Sequence, residues 1–349
     1  MPGVTAPLRS APAALLLALV ASACGPDAAP GSDPGGNGGD SAGWRTSTDP
    51  VDPGGLVRLT GTTVHLADDS TVELAEPTET YVVAGDGVFS TAEPDGDDPG
   101  SPVLFTAPGE SSVDTGLDVL PESLQASPDG RYLAAVEVAS SEEEDAYGTP
   151  LATVVVLDLS TGEQVVDSTD GMGDTGSDDL ADLYSESEIG PLALTDDAVV
   201  ARTTEGELAW DLATGDSRAP APDEEVPAAP TADSPEALRS PDGRWRIVQG
   251  RRLTDTIEPV EGGRTLTPDP GTDRWTLRFW VDDTTAVGAA VDGPGSPTRV
   301  GPDDSQTLMA CTVPSGDCRV YDDTTDAEVV FPQRAGSAAT SLLLGGPTS

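Results

Sequence analysis

The side chains with which this chain could do chemistry are one histidine, three cysteines and 62 acidic residues. The histidine, His65, lies in the alternating stretch TTVHLADD, and any Ser-His-Asp or Cys-His site would have to use it. The one G-x-S-x-G sequence, GDSAG at 39–43, lies in a glycine- and proline-rich stretch and not between a strand and a helix, where a nucleophile elbow has to lie. No His and Cys residues have zinc-binding spacing. We therefore expect His65 to have a structural role within a strand, and we predict no catalytic and no metal-binding residues.

A glycine-rich motif, GMGDTG at 171–176, has the glycine spacing of a dinucleotide phosphate loop. Its acidic neighbours Asp174, Asp178 and Asp179 would face the pyrophosphate, where a nucleotide site needs bare backbone donors. No strand–helix–strand pattern surrounds the motif. We interpret it as a loop between repeats and predict no nucleotide binding.

Three segments, 93–100, 140–148 and 169–183, are rich in carboxylates. Such oxygens are ligands for Ca²⁺, but none of the segments has the regular spacing of a calcium loop. We interpret them as solvated insertions, with Ca²⁺ as the weaker alternative and no other cofactor. The formal net charge of −45 argues against a nucleic-acid partner, which requires a basic surface.

One region departs from this acidic composition. Arginines outnumber acidic residues between 237 and 280, and Arg246, Arg251 and Arg252 flank a predicted strand that begins at Trp245. We expect these four residues to line one face, and arginine and tryptophan are favoured as interface anchors. The patch is predicted to contact an anionic partner or a glycan, the alternative being ion pairs with neighbouring acidic sheets.

Two kinds of turn recur along the chain. In Ser-Pro-Asp-Gly the proline presets φ, the aspartate binds nearby backbone and the glycine supplies a positive φ; a strand with alternating apolar residues follows each copy. The second turn is a Gly-acid pair between two apolar strands. The first turn occurs at 127–130 and 240–243, with looser copies in 84–92, 194–203 and 281–291, and the second occurs in 154–166, 208–219 and 309–321.

The alternation of these turns at intervals of about 40 to 55 residues predicts a four-stranded antiparallel unit repeated around an axis. The SPDG and DLxTG turns resemble those of TolB-like and WD-repeat-like β-propellers. The resemblance covers residues 54–335 and implies an all-β propeller, in which six blades are favoured and seven stay open. It also implies that the strand at 326–331 completes the first blade. A two-domain α/β fold is the alternative, but no long segment has helical periodicity.

The first residues indicate export. An uncharged stretch of thirteen residues, APAALLLALVASA, ends in ASAC at Cys24; it is too short to span a bilayer as a helix and fits a signal peptide. ASAC resembles the lipobox of bacterial lipoproteins, and the lysine-free, Ala-, Gly-, Pro- and Arg-rich composition suggests an actinobacterial type. The resemblance implies cleavage before Cys24 and acylation of this residue, whereas an ordinary secretory peptide is the alternative.

These observations divide the chain into a signal peptide at 1–23, a flexible, disordered linker at 24–53, the propeller at 54–335 and a tail at 336–349. Cys311 and Cys318 flank a predicted hairpin turn, in slots that face each other across the hairpin and lie within disulfide reach. Because the chain is predicted to be exported, we expect them to be oxidised to a disulfide.

The predicted function is that of a lipid-anchored propeller on the extracytoplasmic face of the cell membrane. It would act as a protein-interaction or ligand-binding scaffold for an envelope protein or glycan that the sequence does not name, or as the sensor half of an envelope system. The alternative is a propeller enzyme, a hydrolase or lyase acting on a glycan, lactone or phosphoester, with or without Ca²⁺. We predict that the chain is not an enzyme, because no motif favours catalysis.

Overall fold

A computed structural model describes residues 46–94, 100–138, 141, 143–187, 189–221, 238–333 and 341–345. In these ranges strands dominate, as their β-branched and alternating residues predict. One α-helix, α1 (Leu180–Glu186), and two 3-10 turns at Pro121–Ser123 and Asp322–Thr324 interrupt them. Within the same ranges no helix is both long and apolar enough to cross a membrane.

The strands are short, as is usual for sheets wrapped around an axis. In chain order they are β1 (Arg58–Thr60), β2 (Thr63–His65), β3 (Thr71–Glu73), β4 (Tyr81–Ala84), β5 (Gly87–Thr91), β6 (Ser101–Thr106), β7 (Val113–Val119), β8 (Gln125–Ala126), β9 (Tyr132–Glu137), β10 (Thr153–Asp158), β11 (Glu163–Ser168), β12 (Gly190–Leu194), β13 (Ala198–Thr203), β14 (Gly206–Asp211), β15 (Ser217–Arg218), β16 (Trp245–Val248), β17 (Thr256–Pro259), β18 (Trp275–Trp280), β19 (Thr285–Asp292), β20 (Ser305–Thr312), β21 (Cys318–Val320), β22 (Glu328–Val330) and β23 (Ser341–Leu343).

Consecutive strands pair in antiparallel fashion and form successive units. Unit 1 contains β1–β3 together with β22 and β23, and the eight-stranded sheet contains unit 2 (β4–β7) and unit 3 (β8–β11). Unit 4 is β12–β15 and unit 6 is β18–β21. Unit 5 is the β16–β17 hairpin, extended on either side by the bridges Arg239–Arg246 and Ile257–Leu266.

The end of the chain returns to its beginning. In β22, Val330 and Val329 pair with Leu59 and Thr60 of β1, so the strand predicted at 326–331 does complete the first sheet. On its other edge β22 pairs with β23, in which Leu342 faces Val329. The described part of the predicted tail, residues 341–345, therefore contributes a strand, and its Leu344 is buried.

Apolar side chains hold neighbouring units face to face. Each cluster contains residues from two successive units, and Val, Leu and Ala predominate because the chain has few aromatic residues. The clusters include, for example, Val64 and Val88 from units 1 and 2, Phe89 and Leu133 from units 2 and 3, Val154 and Trp210 from units 3 and 4, Ile257 and Trp280 from units 5 and 6, and Leu308 and Val329 from units 6 and 1.

Antiparallel sheets packed in series, with the last strand joined to the first sheet, constitute a β-propeller. The all-β propeller expected from the repeated turns is thus the observed fold. The choice between six and seven blades stays a prediction. The segment GMGDTG lies in the connection between β11 and α1, where Met172 is buried and Thr204 donates a hydrogen bond of 2.7 Å to the carbonyl of Gly171.

The antiparallel topology gives the propeller two distinct ends. In a four-stranded unit the first and third connections lie at one edge and the second lies at the opposite edge. We call the first edge the turn end and the other the loop end. The turn end carries the connections 85–86, 127–131, 159–162, 212–216, 240–244 and 260–264, and the loop end carries 143–152, 204–205, 249–255 and 293–304.

The two SPDG turns have the same internal bonding. Asp129 accepts hydrogen bonds from Ser127 Oγ at 2.6 Å and from the N–H of Arg131 at 3.0 Å. Asp242 accepts from Ser240 Oγ at 2.6 Å and from the N–H of Arg244 at 3.0 Å. The repetition in sequence is therefore a repetition of one turn structure, which starts the second strand of its unit.

Candidate functional site

The residues singled out from the sequence lie in several separate places. Cys24, the predicted site of acylation, is outside the described residues. Cys311 and Cys318 are paired neighbours on β20 and β21 and form the predicted disulfide, with Cα atoms 4.1 Å apart. Because Cys311 is buried within the apolar cluster between units 5 and 6, the bond lies in the core of this hairpin, where it has a structural role.

His65 lies at the end of β2, within a group of charged residues that joins units 1 and 6. Its Nε2 is 3.3 Å from Oδ2 of Asp323, and Arg58 Nη2 donates to the same oxygen at 2.8 Å. Burial lowers the pKa of His65, and the nearby Arg58 guanidinium lowers it further, although Asp323 and Glu73 oppose both effects.

The same charged group includes an aromatic ring. The guanidinium carbon of Arg58 lies 4.3 Å from the ring centroid of Tyr321, and that of Arg319 lies 4.9 Å from it. Arg319 also pairs with Asp69 at 2.9 Å. These contacts cross the junction between the first and last units, so they favour the structural role expected for His65.

The acidic insertions use their carboxylates internally where the structure describes them. Asp145, which is buried, accepts hydrogen bonds from the N–H groups of Tyr147 at 2.8 Å, Thr149 at 2.9 Å and Leu180 at 2.8 Å. Burial alone would raise the pKa of Asp145, but these donors outweigh it and lower the pKa. Asp145 therefore connects the β9–β10 insertion to the first turn of α1.

Within unit 5, the predicted contact residues do not share one face. Successive side chains of a strand point to opposite faces, and Trp245 packs against the apolar cluster beneath unit 5. Arg246 lies on the other face, opposite Glu258, with which it forms an ion pair at 2.9 Å. The expectation that Trp245 and Arg246 line one face with Arg251 and Arg252 is therefore wrong. Arg246 forms an ion pair within its own hairpin and not, as the alternative supposed, with a neighbouring sheet.

Arg251 and Arg252 lie in the β16–β17 connection at the loop end, and both are exposed. Neither makes an ion pair within the part of the chain that the structure describes. We call this connection, 249–255, the arginine loop. It is the strongest candidate for a functional site because it carries two unneutralised cations on a strongly acidic protein.

Asp255 holds the base of the arginine loop. Its Oδ1 accepts the N–H of Gly250 at 2.8 Å, and its Oδ2 accepts the N–H of Leu277 at 2.9 Å. Trp275 Nε1 donates to the Asp255 carbonyl at 2.8 Å. Burial raises the pKa of Asp255 despite these donors. The carboxylate is enclosed by backbone and is 3% exposed, so its role is to position the loop.

A second loop lies beside the arginine loop. The N–H of Leu253 donates to the carbonyl of Pro297 at 2.8 Å, which joins the arginine loop to the 293–304 connection of unit 6. This second loop carries the exposed Arg299, which the sequence reasoning missed, as well as the exposed Asp303. Arg299 could have been found from the repeat, because its loop joins the second and third strands of unit 6 just as the arginine loop joins those of unit 5.

A buried ion pair fixes the second loop. Arg274 donates to both carboxylate oxygens of Asp304, at 2.9 and 2.8 Å, and the N–H groups of Gly295 and Gly301 donate to the same carboxylate at 2.9 and 2.8 Å. The guanidinium, supported by these N–H groups, holds the pKa of Asp304 well below its usual range. Arg274 and Asp304 neutralise each other, so the two loops present the charges of the exposed residues Arg251, Arg252, Arg299 and Asp303.

The loop end of unit 4 has a different character. A shallow depression of about 600 Å³ is lined by residues of the β13–β14 turn and the end of α1, among them Glu186, Glu205, Glu207 and Arg202. Arg202 is 3.9 Å from Glu207. The depression therefore presents mostly carboxylates and backbone, and it does not resemble a site for an anion.

The sequence reasoning also missed an attachment at the opposite end. Residues 47–53, which we call the N-terminal strap, were predicted to belong to the linker, yet they bind the turn end of units 2 and 3. Ser47 donates through its N–H to the Leu159 carbonyl at 2.6 Å, and Val51 donates to the Gly85 carbonyl at 2.8 Å. Asp86 accepts the N–H groups of Thr48 and Asp49, each at 2.8 Å.

A sequence signal for the strap exists in retrospect. In both SPDG turns a serine two residues before the aspartate binds its carboxylate, whereas the corresponding residue before Asp86 is Ala84. Asp86 therefore lacks that local hydroxyl donor, and its carboxylate accepts the hydroxyl groups of Ser47 and Thr48 instead.

Comparison with protein-family models gives no match, and comparison with curated proteins gives none either. Among solved structures, TolB from Acinetobacter baumannii is similar with a TM-score of 0.32 and 11% identity, covering 82% of this chain and 64% of that chain. The apo AtxE2 isopeptidase has a TM-score of 0.37 and 13% identity, covering 86% of this chain and 55% of that chain.

BamB from Moraxella catarrhalis has a TM-score of 0.25 and 14% identity, covering 70% of this chain and 82% of that chain. At these identities and TM-scores, the similarities carry no argument about activity, ligand or partner. The described chain is a β-propeller by its own strand order and packing, and its function has to be inferred from its own residues.

Proposed function

We propose that this protein is a lipid-anchored β-propeller scaffold on the extracytoplasmic face of the cell membrane, and that it binds an anionic envelope partner through the arginine loop. The anchor is the acylated Cys24 that the ASAC sequence predicts. Stable anchoring takes two or more acyl chains, as the lipobox resemblance implies. The partner is an envelope protein or glycan that presents carboxylates or other anions.

The observation that carries the binding proposal is the exposure of Arg251 and Arg252 on a loop whose base is fixed. The backbone around them is already ordered by Asp255 and by the contact with Pro297. A partner would therefore not pay the full entropic cost of ordering the loop. Planar guanidinium groups bind carboxylates with two parallel hydrogen bonds, so an anionic surface is the partner to which this loop is best suited.

Charge supports the same proposal. The formal net charge is −45, so an anionic partner is repelled by most of the surface and attracted at the arginine loop. This difference in charge between the arginine loop and the rest of the surface steers a partner to one docking position and suppresses other contacts. We propose binding rather than catalysis, because Asp255, the described carboxylate with a raised pKa, is enclosed by backbone donors and is not presented to a cavity.

Two measurements test the proposal. The anchor is tested by mass spectrometry of the amino-terminal peptide of protein extracted from membranes, compared with Cys24→Ala. We expect an acylated Cys24 in the parent and a soluble, unacylated Cys24→Ala variant. An unmodified cysteine, or removal of the leader at another position, would show that the anchor is wrong.

Binding is tested by cross-linking in intact envelopes with the double variant Arg251→Glu/Arg252→Glu. The matched control is Arg264→Glu, because Arg264 is an exposed arginine of the same unit at the turn end. We expect the double variant to lose about tenfold or more of the captured partner, the equivalent of about 1.4 kcal/mol, and the control to retain it. Equal capture by all three proteins would contradict the proposal.

A further inference from the structure

The structure shows at which end the amino-terminal segment leaves the propeller. The strap binds the turns at 85–86 and 159–162, both of which lie at the turn end. Pro53 lies against the SPDG turn of unit 3, since a Cβ added to Gly130 would come within 3.4 Å of it. Thr46, the first described residue, is therefore at the turn end as well.

The strap is held by several contacts and not by a single one. Asp86 binds two backbone N–H groups and two hydroxyl groups of residues 47–49. The backbone contacts with Leu159 and Gly85 flank that carboxylate on either side. The described chain consequently begins at the turn end of units 2 and 3, and not at the loop end.

The chain also enters the ring from the same side. Leu59 pairs with Val330 and Thr60 with Val329, and Leu56 packs against the apolar cluster between units 6 and 1, which includes Val281 at the first turn of unit 6. The residues just before β1 thus lie near the turn end. Release of the strap would lengthen the tether, but the tether would still join the propeller at the turn end.

We infer that the turn end of the propeller faces the membrane and that the loop end, with the arginine loop, faces away from it. This inference rests on the proposed lipid anchor at Cys24. The described chain begins at the turn end, and the loop end lies about 20 Å away along β14 alone. A body held through its turn end keeps that end, on average, nearer to the bilayer than its loop end.

Electrostatics permits this orientation despite the aspartates of the turn end. Asp86, Asp129 and Asp242 use their carboxylates in hydrogen bonds to the turns or the strap. The screening length at physiological ionic strength is about 8 Å, so these carboxylates repel anionic headgroups only at short range. The acyl chains hold the protein at the surface, so the turn end does not have to touch the lipid headgroups.

The orientation gives the arginine loop its accessibility. Anionic lipid headgroups would compete for Arg251 and Arg252 if the loop end faced the bilayer. With the loop end facing away from the bilayer, Arg251 and Arg252 are accessible to partners in the envelope and are kept apart from the lipid headgroups. The two ends thus divide the protein into an attachment end and a contact end.

Energy transfer to labelled vesicles tests the inference. The chain contains no lysine, so a single introduced lysine can be labelled with an amine-reactive donor dye. Ala213→Lys places the donor at the turn end, in the β14–β15 connection, and Ala146→Lys places it at the loop end, in the β9–β10 connection. Both alanines are exposed. The acylated protein is bound to phosphatidylcholine vesicles that carry an acceptor-labelled lipid, and the lysine-free parent corrects for labelling of the amino terminus.

We expect at least twofold greater energy transfer from position 213 than from position 146. Equal transfer, or greater transfer from position 146, would overturn the orientation while the proposed function stands. Failure of the acylated protein to float with the vesicles would instead contradict the proposed anchor. A third protein combines Ala213→Lys with Asp86→Ala, which releases the strap and so lengthens the tether. It is expected to show less energy transfer than Ala213→Lys alone. Unchanged transfer would show that the strap does not set the distance between position 213 and the bilayer.

Discussion

Asp86 accepts hydrogen bonds from both the backbone N–H and the hydroxyl group of Thr48, at 2.8 and 3.2 Å on the same carboxylate oxygen. This contact joins a residue before the first strand to the first turn of the second unit. It converts the end of a predicted linker into part of the folded protein. The contact also sets the point from which the amino-terminal segment leaves.

Asp86→Ala is predicted to release the strap. The N–H groups of Thr48 and Asp49 lose their acceptor, and we expect their hydrogen exchange to accelerate about tenfold or more, because lost hydrogen bonds to a charged group are worth about 1.5–3 kcal/mol. Amide exchange followed by mass spectrometry measures this change. Asp242→Ala is the control, since it removes the equivalent aspartate of a turn in unit 5. Exchange at the strap that is equally fast in the parent and in Asp86→Ala would contradict the contact.

Asp255→Asn is predicted to disorder the arginine loop. The side-chain amide offers one oxygen for two N–H donors, Gly250 and Leu277, and one unsatisfied buried donor costs about 1–3 kcal/mol. Urea unfolding measures the loss of stability. Capture of the envelope partner should fall in parallel although Arg251 and Arg252 are intact. Full stability together with full capture would show that Asp255 does not position the loop.

Removal of the disulfide is predicted to reduce the stability of the protein by a limited amount. Cys311 and Cys318 are separated by seven positions, and a loop of this length is stabilised by about 2.5 kcal/mol at most in the loop-entropy estimate. Cys311→Ala/Cys318→Ala should therefore lower the free energy of unfolding by no more than about this amount, apart from the packing lost at the buried Cys311. Mass spectrometry of the parent under non-reducing conditions should show no free thiol at either position. Free thiols in protein isolated from membranes would contradict the bond.

His65 predicts a pH dependence of stability. Burial and Arg58 lower its pKa in the folded protein, so the unfolded chain binds a proton more readily. The resulting stability is fully present above the unfolded pKa of about 6.5 and declines as the pH falls below that value.

His65→Gln is expected to abolish this decline. The chain has one histidine, and histidine is the side chain that ordinarily titrates between about pH 5.5 and 7.5. The free energy of unfolding, measured across this range, isolates the effect. A slope that persists in His65→Gln, or a parent whose stability rises as the pH falls, would contradict the described surroundings of His65.

The sequence predicted those features that depend on local residue patterns. The SPDG turns, the alternating strands and the Cys311–Cys318 pair each follow from a few adjacent residues, and the spacing of the turns indicates the repeat. The return of residues 326–331 to the first sheet was instead implied by the resemblance to propellers that close the ring with a terminal strand. The other elements needed no knowledge of distant contacts beyond the repetition itself.

The remaining features depend on contacts between residues far apart in the chain. The strap requires Asp86 to meet Thr48, and β23 requires Leu342 to meet Val329; composition assigned both segments to linker or tail. The prediction that four residues line one arginine-rich face was wrong for a different reason. Trp245 and Arg246 are adjacent in one strand and so lie on opposite faces. Arg251 and Arg252 lie on one loop and Arg299 on another, and a backbone hydrogen bond between Leu253 and Pro297 joins the two loops.

The claim on which the propeller fold depends most directly is that the ring is closed by β22 against β1. A double variant, Leu59→Cys/Val330→Cys in a Cys24→Ala background, tests this pairing directly. Paired residues on neighbouring antiparallel strands have Cβ atoms about 4.5–5.5 Å apart, so a disulfide between them forms with some strain or after a small backbone adjustment. Val72→Cys/Val330→Cys is the control, since β3 lies three strand spacings from β22, about 14 Å. Mild oxidation of the folded protein followed by peptide mass spectrometry should detect the cross-link between positions 59 and 330 and none between 72 and 330. The absence of the first cross-link, or equal yields of both, would contradict the closed ring.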